Sequence, residues 1–426
     1  MRGGVAGGLE LSVRTLALPW MLGLRWAGSL GAGDRSGMPR AKHSLALALK
    51  VAADELFFAT ELASGALALR RADRHRQLRE LEEAHAILER RGWLADPARY
   101  HRTPPAPTAP VARAARVGRR HYLHLRFESG FAPCDELPGR ARWERNAANR
   151  DAHAWLLRHP GPPRPWVVCV PGFRMGHPAV DFTGFRARWL HDELGLNVAI
   201  AVLPLHGPRR AGRRSGDGYL SGNFIDTLHA QTQAVWDVRR LLAWLRREGA
   251  PAIGVHGVSL GAYTAAVVAG LEDELDAVVA GIPASSFVGL ARRHVPPGVA
   301  SLMEHFGFPL ARIDAVMRVV SPLALPARVP RERRFLYAAT ADRLAPPEQA
   351  WDLWRHWERP RIAWYHGSHV SFLVEPAVRE LLREALSFAP AAESGASRRA
   401  ASGRRIRAVP MRRAPAHLAP AEAPRA

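Results

Sequence analysis

From about residue 117 to 388, short apolar runs alternate with longer amphipathic stretches. Residues 121–127 alternate apolar and polar side chains and predict a strand, as do 152–158. Trp166–Val170 is apolar throughout and stops at Pro171-Gly172, the pattern of a buried strand closed by a turn. Similar runs occupy 197–203, 252–258, 277–282, 335–339 and 362–365. Helical spacing separates them at 178–194, 224–248, 260–270 and 371–387; in the second of these Leu228, Val235, Leu241, Leu242 and Leu245 share one side. Apolar strands alternating with helices predict an α/β fold, a mostly parallel central sheet covered by helices on both faces. In such sheets chemistry sits beyond the carboxyl ends of the strands.

Upstream the periodicity is purely helical. Leu45, Leu49, Ala52, Leu56 and Ala59 recur at three- and four-residue steps behind Ser44. They predict a helix over 45–69 with Ser44 as N-cap and that stripe as its packing face. A second helix is predicted over 73–91, capped by Asp73, with Leu78, Leu81 and Leu88 along one face. Together they are expected to form a helical hairpin (41–100) packed on the main domain. Leu47, Phe57, Phe58 and Leu62 widen the first helix's apolar surface, and a contact with a membrane surface or a second copy is the alternative. Residues 1–40 read as a poorly structured N-terminus. The uncharged run 15–24 is too short to span a bilayer, and it makes a poor signal peptide. Met38 is an alternative start. Residues 101–116 read as a Pro/Ala-rich linker, 117–388 as the α/β domain, and 389–426 as a disordered basic tail.

Composition adds limits. At 426 residues and 47% hydrophobic the chain can bury a sizeable core. Two cysteines, Cys134 and Cys169, exclude a disulfide framework and argue against a cysteine zinc site. The net charge is +21, yet all but Lys42 and Lys50 of its 60 Lys and Arg residues are arginine, scattered along the chain. That is a coding bias rather than a nucleic-acid footprint, and no specific nucleic acid is expected. The expected location is cytoplasmic, with peripheral membrane contact through residues 1–70.

One strand ends Val255-His256-Gly257-Val258-Ser259-Leu260-Gly261, and a helix begins at once. A serine on so sharp a turn projects its hydroxyl above the sheet, and the two glycines let strand and helix approach closely. The Leu260 N–H, at the positive end of a helix, points into the same space as a candidate oxyanion donor. A serine hydroxyl needs a base, and the base an orienting acid. After the strand at 335–339, Asp342 is the only acid before Glu348; after the strand at 362–365 comes His366-Gly367-Ser368-His369. Asp342 is therefore the candidate acid and His369 the candidate base, with His366 the runner-up. The loop Pro171-Gly172-Phe173-Arg174 supplies the second oxyanion donor, through the N–H of Phe173 or, next, of Arg174. Arg174 would otherwise steer an anionic substrate or simply face solvent.

Through these pieces the chain resembles the α/β-hydrolases over residues 117–388. The likeness is carried by Gly257-x-Ser259-x-Gly261, Asp342-x-x-x-Pro346, Gly367-Ser368-His369 and Pro171-Gly172-Phe173, where Pro171 replaces the family's usual histidine. The resemblance implies about eight strands and no metal or organic cofactor. It also implies a Ser259–His369–Asp342 triad with an oxyanion hole at Leu260 and Phe173. An insertion of lid type is expected at 284–328, carrying Phe287, Leu290, Val295, Leu302, Met303, Phe306, Phe308 and Leu310. The loop from His206 to Asn223, with Arg209, Arg210, Arg213 and Arg214, is expected at the same mouth. The resulting expectation is a serine hydrolase cleaving a small-molecule or lipid carboxylic ester. A thioesterase, peptidase or acyltransferase with the same triad, or a non-catalytic binding protein on this scaffold, are the alternatives.

Overall fold

The computed structural model describes residues 37–42, 44–63, 74–294 and 309–388. Expectations for 1–36, for the Asp73 cap, for the middle of the lid insertion and for the tail fall outside the described residues. Among the described residues nine strands form one sheet: β1 (Val111–Val117), β2 (Arg120–Glu128), β3 (Asp151–Leu157), β4 (Trp166–Val170), β5 (Asn197–Val202), β6 (Ile253–Val258), β7 (Ala277–Gly281), β8 (Arg334–Ala339) and β9 (Arg361–Tyr365). Their order is β1-β2-β3-β5-β4-β6-β7-β8-β9. β1, β2 and β3 join antiparallel, and every pair from β5 to β9 is parallel. The carboxyl ends of β4, β6, β7, β8 and β9 therefore share one edge.

The count exceeds the expected eight because residues 111–116, read as linker, are a strand. β1 carries almost no burial and turns into β2 at Gly118, whose φ is 56°. Its main-chain ladder to β2 holds it, so it leaves no apolar periodicity to read.

The helices are α1 (Leu45–Ala63), α2 (Arg74–Arg90), α3 (Arg140–Glu144), α4 (Pro178–Gly184), α5 (Phe224–Arg247), α6 (Leu260–Ala269), α7 (Phe287–His294), α8 (Leu310–Met317), α9 (Pro347–His356) and α10 (Pro376–Ala385). One face of the sheet buries α5, α6 and α8 around Val168, Val255 and Leu336. The other buries α10 and the α4 region around Val167, Ile200 and Tyr337. Strands β4 to β8 are buried on both faces, which is why they read as unbroken apolar runs. Two expected helices are interrupted. Arg186, with φ 48°, ends the helical stretch after α4, and a separate wide turn follows at Trp189–Glu193. Past β9 a tight turn (Val370–Val374) precedes α10, which begins at Pro376, where a missing N–H costs nothing.

The N-terminal helices depart further from expectation. α1 buries Leu47, Asp54, Phe58 and Glu61, whereas Leu45, Leu49 and Leu56 are exposed. The expected packing stripe is the outward one. The main contacts of α1 are with the turn Val370–Val374, and those of α2 are with α8 and α5, so neither helix is placed chiefly by the other. α2 buries Leu81, Ala84, Ile87 and Leu88. Its Glu80 accepts two hydrogen bonds from Arg142, which also holds Asp226 on α5. No described helix is long and apolar enough to cross a membrane.

Arg209, expected at the mouth of the site, is 0% exposed. It donates to Asp237 at 2.7 Å and to the carbonyls of Val202 and Asn149. Burial pushes the Asp237 carboxyl up, and Arg209 pulls it back. Removing one member of a buried pair strands the other. Arg209→Met should therefore lower unfolding free energy by about 3–5 kcal/mol in urea titration, and adding Asp237→Leu should recover most of it.

Candidate active site

β6 delivers Ser259 at the sheet edge with φ 57° and ψ −117°, a conformation that costs a side-chain-bearing residue about 1–3 kcal/mol. The Ser259 N–H donates to the Gly281 carbonyl at 2.9 Å, fastening the turn to the end of β7. Close packing makes the flanking glycines necessary. A Cβ on Gly257 would lie 2.2 Å from the Gly261 carbonyl oxygen, and one on Gly261 would lie 1.8 Å from that of Val170. Leu260 opens α6, so its N–H has no acceptor within the helix.

Two strands along, β8 and β9 carry Asp342 and His369. The ends of these strands are tied by Thr340 N–H to Tyr365 O at 3.0 Å and by Ala341 N–H to Gly367 O at 3.1 Å. His369 Nδ1–H donates to Asp342 Oδ2 at 2.7 Å, and both side chains are buried. Asp342 Oδ1 accepts from the N–H groups of Leu344 and Ala345, which fixes the plane of the carboxylate. Since Nδ1 is engaged, Nε2 is the imidazole nitrogen left to exchange a proton. Burial works against the imidazolium, but the adjacent Asp342 carboxylate, with Asp54 behind it, outweighs burial and raises the His369 pKa above its ordinary value. His366, the runner-up, is exposed, and its Nδ1 meets Thr340 Oγ1 rather than Asp342.

The third element is the loop after β4. A Cβ on Gly172 would sit 3.4 Å from that of Ser259, so this loop runs directly beside the serine. Among the described residues the Phe173 N–H has no hydrogen-bond acceptor. The loop is held from behind: Gly176 N–H donates to Asp181 Oδ1 at 2.8 Å, and Trp155 Nε1–H donates to Asp181 Oδ2 at 2.8 Å. Burial pushes that carboxyl up to about 7.

Arg174, expected either to steer a substrate or to face solvent, does not face solvent: its side chain is largely buried. Its guanidinium lies 4.5 Å from the centre of the Phe173 ring. It binds Glu61 of α1, Asp217 and the Ser215 carbonyl. Arg214 also binds Glu61, at 2.7 Å. Of the segment expected to form a lid, Phe287 stacks on Tyr263 at 4.2 Å and α8 packs against α2. Among the described residues no group of three or more histidines, cysteines or acids is placed to hold a metal ion.

Asp54, which sequence reasoning passed over, lies 0% exposed against both loops. Its Oδ2 accepts from His369 N–H at 2.8 Å and Arg343 N–H at 3.1 Å, and its Oδ1 from Val370 N–H at 3.2 Å. The available signal was the interval from Asp54 to Glu61: two acids seven residues apart fall on one helical face, whereas Lys50, Glu55 and Thr60 stand alone on the rest of a largely apolar segment.

No family model matches the chain. An uncharacterized protein of Mycobacterium tuberculosis strain CDC 1551 is 40% identical over 355 residues, 82% of this chain and 84% of its own length. A second uncharacterized protein, from strain H37Rv of that species, is 39% identical over the same shares. Among solved structures, acetyl xylan esterase 1 from Thermoanaerobacterium sp. is 14% identical with a TM-score of 0.49, over 69% of this chain and 93% of that one. A puromycin-hydrolyzing peptidase of Mycobacterium tuberculosis is 18% identical with a TM-score of 0.39, over 55% of this chain and 36% of its own. The mostly parallel sheet with its serine turn between β6 and α6 is an α/β-hydrolase fold, and by its identity to them over four-fifths of its length the chain belongs to the family of the two mycobacterial proteins.

Proposed function

We propose that this protein is a serine hydrolase of carboxylic esters, acting through Ser259, His369 and Asp342. The observation that carries the reading is the buried His369–Asp342 hydrogen bond at 2.7 Å, at the sheet edge where Ser259 is held in a strained turn. A buried histidine with one nitrogen committed to a carboxylate is a base of fixed orientation and tautomer. The strain at Ser259 supports the same reading, because such backbone is retained where a side chain must be presented.

In this mechanism His369 Nε2 takes the proton from the Ser259 hydroxyl as its oxygen attacks the acyl carbonyl. The N–H groups of Leu260 and Phe173 stabilise the oxyanion. The tetrahedral intermediate collapses as His369 protonates the departing alcohol. Water then attacks the acyl-enzyme, giving a proton to His369, which returns it to the Ser259 oxygen as the acid leaves.

Two outcomes are expected. A fluorophosphonate probe should label the wild type and leave Ser259→Ala unlabelled, and the same pair should separate active from inactive on a panel of aryl esters, lysolipids, thioesters and anilides. No labelling of well-folded wild type would favour a non-catalytic scaffold; turnover of anilides or thioesters in preference to esters would move the substrate class. In the pH profile, kcat/KM should fall as His369 takes up a proton. Because its folded-state pKa is raised, the acid limb should lie above pH 6.5, the ordinary histidine value. The same protonated pair stabilises the fold below that pH and loses its contribution as pH rises through the limb.

A further inference from the structure

The hydrogen bonds of α1 connect its two buried acids to different parts of the site. Asp54 spans the acid and base loops: its carboxylate takes three backbone N–H groups, from Arg343 beside Asp342 and from His369 and Val370. Glu61 binds Arg174, which immediately follows Phe173 in the oxyanion loop, and Arg214 as well. The two acids lie two helical turns apart, about 10 Å along one face. Both are nearly inaccessible, Asp54 at 0% and Glu61 at 4%. Neither contact is needed to fill the sheet's core, and apolar side chains would cover the same surface at lower desolvation cost.

We propose that α1 is a two-point clamp on the catalytic apparatus, with Asp54 the positioning residue for the Asp342–His369 pair and Glu61 the positioning residue for the oxyanion loop. The inference rests on the serine-hydrolase reading of those loops. Asp54 acts by geometry: three N–H donors converge on one rigid carboxylate, so the two loops cannot separate without breaking charge-assisted bonds. It also acts by charge, since a second buried carboxylate beside the imidazole favours its protonated form. The other groups facing this point are Asp342 and Arg343 on the acid loop, Glu55 on α1 next to Arg343, and Tyr365 and His366 at the end of β9. The Lys50–Glu375 ion pair completes the set. Glu61 acts through Arg174: Arg174 sits at φ 72°, in a conformation its side-chain bonds must hold, and that turn aims the neighbouring N–H.

The test compares full-length wild type with Asp54→Asn, Asp54→Ala, Glu61→Gln, Ser259→Ala and, as a control on the outward face of the same helix, Leu49→Gln. Readouts are aryl-ester kinetics against pH, the rate of fluorophosphonate labelling, and the imidazole NMR titration of His369, which needs no substrate. The clamp requires Asp54→Asn to move the acid limb and the His369 titration to lower pH. It requires Asp54→Ala to cut kcat by about 10–100-fold with KM nearly unchanged. Glu61→Gln should cut kcat and the labelling rate by about 10–100-fold while leaving the His369 titration in place. Leu49→Gln should match wild type. Wild-type kcat and an unmoved His369 titration in folded Asp54→Asn and Glu61→Gln overturn the proposal, as does a loss confined to melting temperature. A wild type that neither labels nor turns over, yet shows the shifted imidazole titration in Asp54→Asn, removes the hydrolase reading and leaves the Asp54 contact standing.

Discussion

The end of β4 and the start of α6 come so close that position 261 admits no side chain. A single carbon there would collide with the Val170 carbonyl, and the equivalent carbon at 257 would collide with the first turn of α6. This contact fixes three things at once. It forces the chain through the strained serine turn, it seats α6 with its N-terminus over the sheet edge, and it brings the Pro171–Arg174 loop alongside Ser259. The parallel order of β4, β6, β7, β8 and β9 then determines what else arrives at that edge. Asp342 and His369 meet because their strands are neighbours in register and the strand ends are tied by main-chain bonds.

Electrostatics around the site is organised by burial more than by net charge. A positive total of +21 suggests a basic surface. Yet several arginines are interior parts. Arg209, Arg239 and Arg334 are nearly inaccessible and spend their donors on carbonyls and single acids. Arg334, for example, donates to the carbonyls of Val329 and Trp357, satisfying loop backbone that no strand or helix covers. Arg174 does the same for the Ser215 carbonyl while bridging two acids. Arginine's fork suits such sites better than lysine's single ammonium.

How much of this was legible follows from the physics of each segment. The central strands are apolar on both faces, so composition alone marks them. β1 is exposed and depends on backbone pairing, which composition does not encode. In α1 all but five of nineteen positions are Leu, Ala, Val or Phe, so the 3.6-residue period could be drawn through either face; the stripe through Leu45 and Leu49 was the regular one, but the buried face is the one bearing Asp54 and Glu61. Asp342 and His369 were readable as a pair because each is the prominent ionisable residue after adjacent strands. Asp54 was not, because its partners are backbone N–H groups about three hundred positions away, and no local pattern records them. Arg209 and Arg174 were misplaced for a related reason: an arginine in a glycine-rich loop looks solvated until the acid that neutralises it is located.

The distance of that carboxylate from its partners along the chain has a biosynthetic consequence. Asp54 is separated from Arg343, His369 and Val370 by 289, 315 and 316 positions. During translation the helix leaves the ribosome early, while the loops it binds are among the last folded segments to emerge. The nascent chain can pair its early strands long before these bonds exist, and so the acid–imidazole pair is assembled only in the finished product. A truncated translation product ending before β9 would carry the Ser259 turn without His369, its partner in the proposed triad.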